Sequence, residues 1–361
     1  MTRKGFTIVE LLVGSVIMLV VIVGALTIYM RSNKITVDQQ QIAEVQHDVR
    51  NGMFFITRDI RMAGVGMPLE FAGYFVEGVN NDSKVTGGDY APDRLKLMGN
   101  IEDPLILRIQ DYQGSSVTLE LKDYSLEENP YPDEYYDNKY VIIFPNPAST
   151  CRAAEPRVIT HVTHDTGGTT EKLNFSPGLA PDIDPPGGLS GTCPSSNDYD
   201  GGFVGYLDLK EYWLDVTGSY PGLTAGVNGY IGGGAGGAGI LYMTHNAVHY
   251  PIARNIENLQ FQYNGDLDAD GVLDGFMDWQ DTWDIVTVER IREIRVIVVG
   301  RTENRAVSVS GTPSTSLQLY RRPAVADSPG ASTDDMHKRY LLESSANVRN
   351  MSLNIYNNGI R

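Results

Sequence analysis

The first sixty residues change character without changing period. From Phe6 to Met30 the chain is apolar at nearly every position, Glu10 is its sole charge, and Leu11–Met30 carries none. A charge-free run of that length predicts a bilayer-spanning helix. From Arg31 onward, Ile42, Val45, Val49, Met53, Ile56 and Ile60 recur at steps of three and four, with Arg31, Lys34, Asp38, Glu44, Asp48 and Arg50 off that line. This is one apolar stripe on a polar helix. No proline interrupts Phe6–Gly66, so the two patterns predict one continuous helix about 85 Å long. Gly64, Gly66 and Pro68 in MAGVGMP stop it. Its first half can pack only in lipid or among other apolar helices, while its second half must lie on a sheet. Gly14 and Gly24 are its weak points, at up to ~1 kcal/mol each relative to Ala.

Beyond the helix the pattern shortens to strands bounded by turn formers. Residues 95–99, 104–110, 116–122, 139–145 and 157–163 are rich in β-branched and apolar side chains, and 207–216 and 238–244 extend the series. Asn258–Asn264 alternates cleanly. Arg292–Arg301 is nearly continuous and so predicts a central strand, and Arg339–Asn350 alternates more weakly. Gly218–Gly239 holds ten glycines in 22 residues and reads as loop. Its GGGAGGAG piece lacks the Lys-Ser/Thr ending of a phosphate cradle. The fold class expected is α+β: a long N-terminal helix packed on an antiparallel β-sheet, with a large β- and loop-rich C-terminal domain. The boundaries expected are 1–5 as a leader, 6–30 and 31–65 as the two helix halves, and 66–361 as the globular part.

Composition narrows the partners. The 361 residues carry a formal charge of −16, which repels phosphates and argues against nucleic acid. A basic start before an apolar run is an export pattern, yet no small-residue cleavage site follows the run and the polar helix continues. Cleavage is therefore expected ahead of the apolar run. Two cysteines, Cys151 and Cys193, lie in turn-rich sequence. In an exported chain an even count reads as one disulfide, worth about 4 kcal/mol on the chain-entropy model; in a cytosolic chain they would be free thiols.

Asp266, Asp268, Asp270 and Asp274 form D-x-D-x-D-G-x-x-D around Gly271. Alternate carboxylates in a tight turn wrap a hard cation, the Val272 carbonyl adds a ligand, and Ca²⁺ is the expected occupant. Met277 stands where an EF-hand places its closing Glu, so the loop would serve rigidity rather than calcium sensing. The alternative is a solvated acidic turn. No nucleophile elbow, H-E-x-x-H or Walker sequence occurs. His161 and His164 lie three apart on a strand and face opposite ways. His245 and His249 lack a Glu or Cys companion in the sequence around them. The chain is not expected to be an enzyme.

The leader KGFTIVELL, with Gly5, Phe6 and Glu10 at the head of an apolar helix, resembles the class III signal of type IV prepilins and type II secretion pseudopilins. The resemblance implies cutting after Gly5 by a prepilin peptidase, N-methylation of Phe6, and pairing of Glu10 with the N-terminal amine of a neighbouring subunit. ITRDIRMAG, NIENLQFQYNGDLDADG and RIREIRVIVVGRT, with KRYLLESSANVRN ending in Arg349-Asn350, resemble the PilW-like branch of minor pilins. Residues 69–250 match nothing in that pattern.

What the resemblance implies is a minor pilin that helps initiate pilus assembly and is incorporated at or near the tip. Its partners would be other minor pilins, the major pilin and the inner-membrane assembly machinery. It would wait in the inner membrane with its globular domain periplasmic, then reach the fibre tip at the cell surface. The apolar helix half lacks the kinking Pro of abundant pilins, and Glu10 places the subunit below a topmost one. A type II secretion pseudopilin, a tip adhesin and an uncleaved single-pass anchor remain open as alternatives.

Overall fold

The computed structural model describes residues 7–67, 69–81, 91–100, 106–112, 118–121, 133–151, 154–164, 171–175, 193, 198–216, 239–302, 320–330, 335, 337–349 and 351. Helix α1 spans Ile8–Met62. Thr7 caps it, and a turn follows in which Gly64 (φ +72°) and Gly66 (φ +71°) adopt the left-handed conformation. That turn is tied to the sheet: Gly64 N–H donates to Met98 O (2.8 Å) and Asn100 N–H to Val65 O (2.7 Å).

Fourteen strands follow among the described residues: β1 Val76–Val79, β2 Arg94–Gly99, β3 Ile106–Tyr112, β4 Thr118–Leu121, β5 Tyr140–Phe144, β6 Glu155–His164, β7 Glu171–Phe175, β8 Phe203–Tyr206, β9 Asp208–Asp215, β10 Gly239–His245, β11 Val248–Gly265, β12 Met277–Asp278, β13 Ile291–Arg301 and β14 Arg339–Asn347. A one-turn helix, α2, covers Ile285–Val288. All pairings are antiparallel. One sheet runs β1-β2-β9-β10-β11-β13-β14, with β12 added to β11. The strands β3-β4-β7-β6-β5-β8 close into a separate six-stranded barrel. The fold is therefore α+β as expected, with a long helix on an antiparallel sheet. The barrel was not expected, since the strand pattern of 66–361 predicts one β-rich globular part.

The helix stripe works as its spacing requires. Val45, Val49, Met53, Ile56 and Ile60 are buried, and Ile42 is half-buried. They join Leu259 and Phe261 of β11, Val296 and Val298 of β13, and Ala346 of β14 in the main core, each large side chain contributing about 1.5–3 kcal/mol. Close approach needs glycine. A Cβ on Gly300 would stand 2.5–2.6 Å from methyls of Val49 and Val45, and one on Gly52 2.7 Å from Leu241. Asp38 and Asp48, expected off the stripe, reach the sheet by polar contacts: Lys338 Nζ to Asp38 (3.2 Å) and Asn255 Nδ2 to Asp48 (3.1 Å). The barrel has its own core of Leu107, Ile109, Leu119, Ile143, Leu173 and Val204.

Candidate functional site

Two regions concentrate the chemistry anticipated from the sequence, and the first is the head of α1. Every Leu, Ile, Val and Met from Ile8 to Met30 is exposed. This half of α1 is long and apolar enough to cross a membrane, and none of the described residues covers it. Glu10 is held by its own helix start. Thr7 N–H and Thr7 Oγ1 each donate to Glu10 Oε2 (2.9 Å), and Glu10 N–H donates to Thr7 Oγ1 (3.3 Å). This reciprocal pair is a capping box that satisfies two orphan groups of the first turn. Gly5 and Phe6 lie outside the described residues.

The second region is the loop between β11 and β12. Carboxylate oxygens of Asp266, Asp268 and Asp270 all lie within 4.8 Å of one another. The main chain curls around them: Asp266 Oδ2 accepts from Gly271 N–H (3.2 Å), Asp268 Oδ1 from Asp270 N–H (3.1 Å), and Asp270 Oδ1 from Val272 N–H (2.8 Å). Ala269 (φ +68°) and Gly271 (φ +87°) turn the chain left-handed. Asp266 Oδ1 is buried without a hydrogen-bond partner. Asp274 has a different occupation, since its Oδ2 accepts from Leu267 N–H (2.7 Å) and its N–H donates to Gly265 O (2.9 Å), closing the loop's base. Val272 is exposed at the tip beside Leu273. Three oxygen donors on one side of a tight loop suit a hard cation.

The remaining sequence candidates are structural in their contacts. Cys151 and Cys193 are bonded, with Cα atoms 5.7 Å apart, and Cys193 is fully buried beside the barrel core. His245 and His249 flank the β10–β11 turn. His245 Nε2 meets Asp208 Oδ1 (2.9 Å), while His249 Nδ1 meets Thr244 Oγ1 (2.7 Å). His164 pairs with Asp133 at 2.9 Å. Arg349 is exposed, and Asn350 falls outside the described residues.

One residue whose role the apolar pattern did not show is a polar anchor of the helix. Asp59 is completely buried. It accepts from Arg58 Nε (2.9 Å), Tyr212 Oη (2.6 Å) and Lys210 Nζ (3.2 Å). Burial and the facing Asp59 charge push the Tyr212 hydroxyl pKa well up, so it remains a donor. A charged residue next to the apolar stripe was the available signal.

No family model and no curated protein matches the chain. Among solved structures, a type IV-like pilin from Thermus thermophilus aligns over 60% of this chain and 86% of its own, with 11% identity and a TM-score of 0.19. So distant an overlay bears no weight in assigning a role.

Proposed function

We propose that this chain is a minor pilin: a membrane-stored subunit that joins others to start a type IV pilus and stays at or near its tip. The observation that carries the reading is the bare apolar half of α1 with Glu10 at its head. That surface needs lipid or other apolar helices around it, and both settings occur in sequence when a subunit leaves the membrane for a filament core. In this reading a prepilin peptidase cuts after Gly5, Phe6 is N-methylated, and the inner-membrane machinery feeds the subunit into the fibre. Glu10 exchanges its contacts with Thr7 for the ammonium of a neighbouring N-terminus, because neither charge is stable alone in hydrocarbon. The work is assembly, not catalysis. Calcium belongs to the same reading, held by Asp266, Asp268 and Asp270 to stiffen an exterior loop.

Deleting the gene and counting surface pili by electron microscopy, with secreted enzymes assayed from the same cultures, tests the assignment. Loss of pili with normal secretion is the expected result; normal pili with blocked secretion would move the chain to the pseudopilins. Glu10→Ala should leave cleavage intact and abolish recovery of the subunit in sheared fibres, and normal recovery would refute the pairing role. The closed barrel favours a second reading, a tip adhesin, in which its deletion leaves pilus number normal and abolishes attachment.

A further inference from the structure

Among the described residues, the eight-stranded sheet ends in a strand that is open for pairing. Val348 N–H donates to Arg292 O (3.0 Å) and Thr302 N–H to Lys338 O (2.9 Å), in the same register that runs from Glu293↔Asn347 to Arg301↔Arg339. Antiparallel partners alternate between bonded and non-bonded pairs. Even-numbered residues of β14 therefore bond β13, while Arg339, Leu341, Glu343, Ser345 and Asn347 aim their main-chain N–H and C=O outward. Those outward groups have no hydrogen bond among the described residues.

The edge also lacks the usual guards. It contains no Pro or Lys, and its nine pairs with β13 run without a register shift. Its two charged side chains are tied back over the sheet, Arg339 to Glu257 (2.6 Å) and Glu343 to Arg295 (3.1 Å). At the far end lies a cleft of about 230 Å³ lined by Arg61, Glu293, Ser345, Ala346, Asn347 and Arg349. Arg61 and Arg349 are exposed and make no ion pair among the described residues. They come from two motifs nearly three hundred residues apart in sequence. Two guanidiniums beside one carboxylate leave one positive charge, which a single incoming carboxylate balances.

We infer that the β14 edge accepts an extended strand from a different protein, one that carries an Asp or Glu side chain into the Arg61–Arg349 cleft. Main-chain pairing along the edge supplies affinity, and the cleft supplies selection and register. An antiparallel pair with a second copy of this chain does not suit. α1 runs along β14, from the Asp38–Lys338 contact to the Arg61 cleft. An antiparallel β14–β14 pair would point the two helices in opposite directions, which a shared membrane forbids. That clause rests on the membrane reading above; the strand docking does not. The opposite edge, β1, offers four residues against nine.

The test is site-specific photocrosslinking of the full-length chain in its own cells. A photoreactive residue is placed in turn at Leu341, Glu343 and Ser345, and adducts are mapped by mass spectrometry. Strand addition predicts that the crosslinked position on one partner moves two residues at each step, in a constant direction, towards an Asp or Glu opposite the cleft. Arg61→Glu with Arg349→Glu should lower adduct yield about tenfold or more, with the disulfide-bonded core still protease-resistant. Steps of three or four, scattered sites, adducts to another copy of this chain, or no adducts would overturn the inference. Yield indifferent to the charge reversal would remove the acidic residue from it. Stepwise adducts, together with pili that survive deletion of the gene, would keep the strand docking and reject the assembly-initiating role.

Discussion

Asp59 and Asp93 are both buried carboxylates, yet their surroundings differ. Asp59 has the cationic side chains of Arg58 and Lys210 beside it. Removing it would strand the almost fully buried Lys210 ammonium. Asp59→Ala is therefore expected to cost about 3–5 kcal/mol in denaturant melts, and a loss below 1 kcal/mol would refute the anchor. Asp93 has no such company. It accepts from Phe261 N–H (2.8 Å) and Asn81 N–H (3.0 Å), but burial dominates and pushes its pKa up to about 8, with the charges of Asp327 and Asp278 adding to the shift. The folded chain thus keeps a proton that the unfolded carboxyl releases near pH 4. This contribution is fully present below about pH 4 and is lost as pH rises through about 8. Asp93→Asn should flatten that part of the stability–pH profile, and an unchanged slope would exclude Asp93 as its source.

At the scale of elements, ten predicted strands are present because their apolar residues recur with period two or run unbroken through the core. Others were hidden for identifiable reasons. β1 is only VEGV, and its Gly78 is demanded by Trp279, whose ring carbons would stand 2.7 Å from a Cβ. β7 and β8 are short. The first half of β11 contains Pro251, which reads as a breaker but lies beside a register shift opposite β10. The acidic loop was fully legible as a spacing of carboxylates. What spacing did not reveal was the division of labour, with three carboxylates converging and Asp274 closing the base. Asp268→Ala with Asp270→Ala should lower the melting temperature when calcium is present and leave it unchanged under chelation. An equal loss in both conditions would remove calcium from the account.

Across the whole molecule, the helix and sheet form one core, which also takes in Ile142 and Phe144 of β5, and the barrel interior forms another, stitched by Cys151–Cys193. The barrel was illegible because closure depends on which strands pair over long separations, a property no local period encodes. Cys151→Ala with Cys193→Ala should destabilise by about 2–4 kcal/mol. Amide exchange should rise in β5–β8 while α1 and β13 keep their protection; uniform loosening would show that the two cores are not separable.

The barrel enters and leaves through neighbouring strands, since Ile106 of β3 pairs with Gly205 of β8. Just outside it, Gly99 and Asp208 face one another across β2 and β9. For a folding chain, this turns a distant meeting into a local one. Joining β2 to β9 through a hundred disordered residues would carry about 4 kcal/mol of closure entropy. A barrel that closed first would deliver both strands side by side and take that search out of sheet formation.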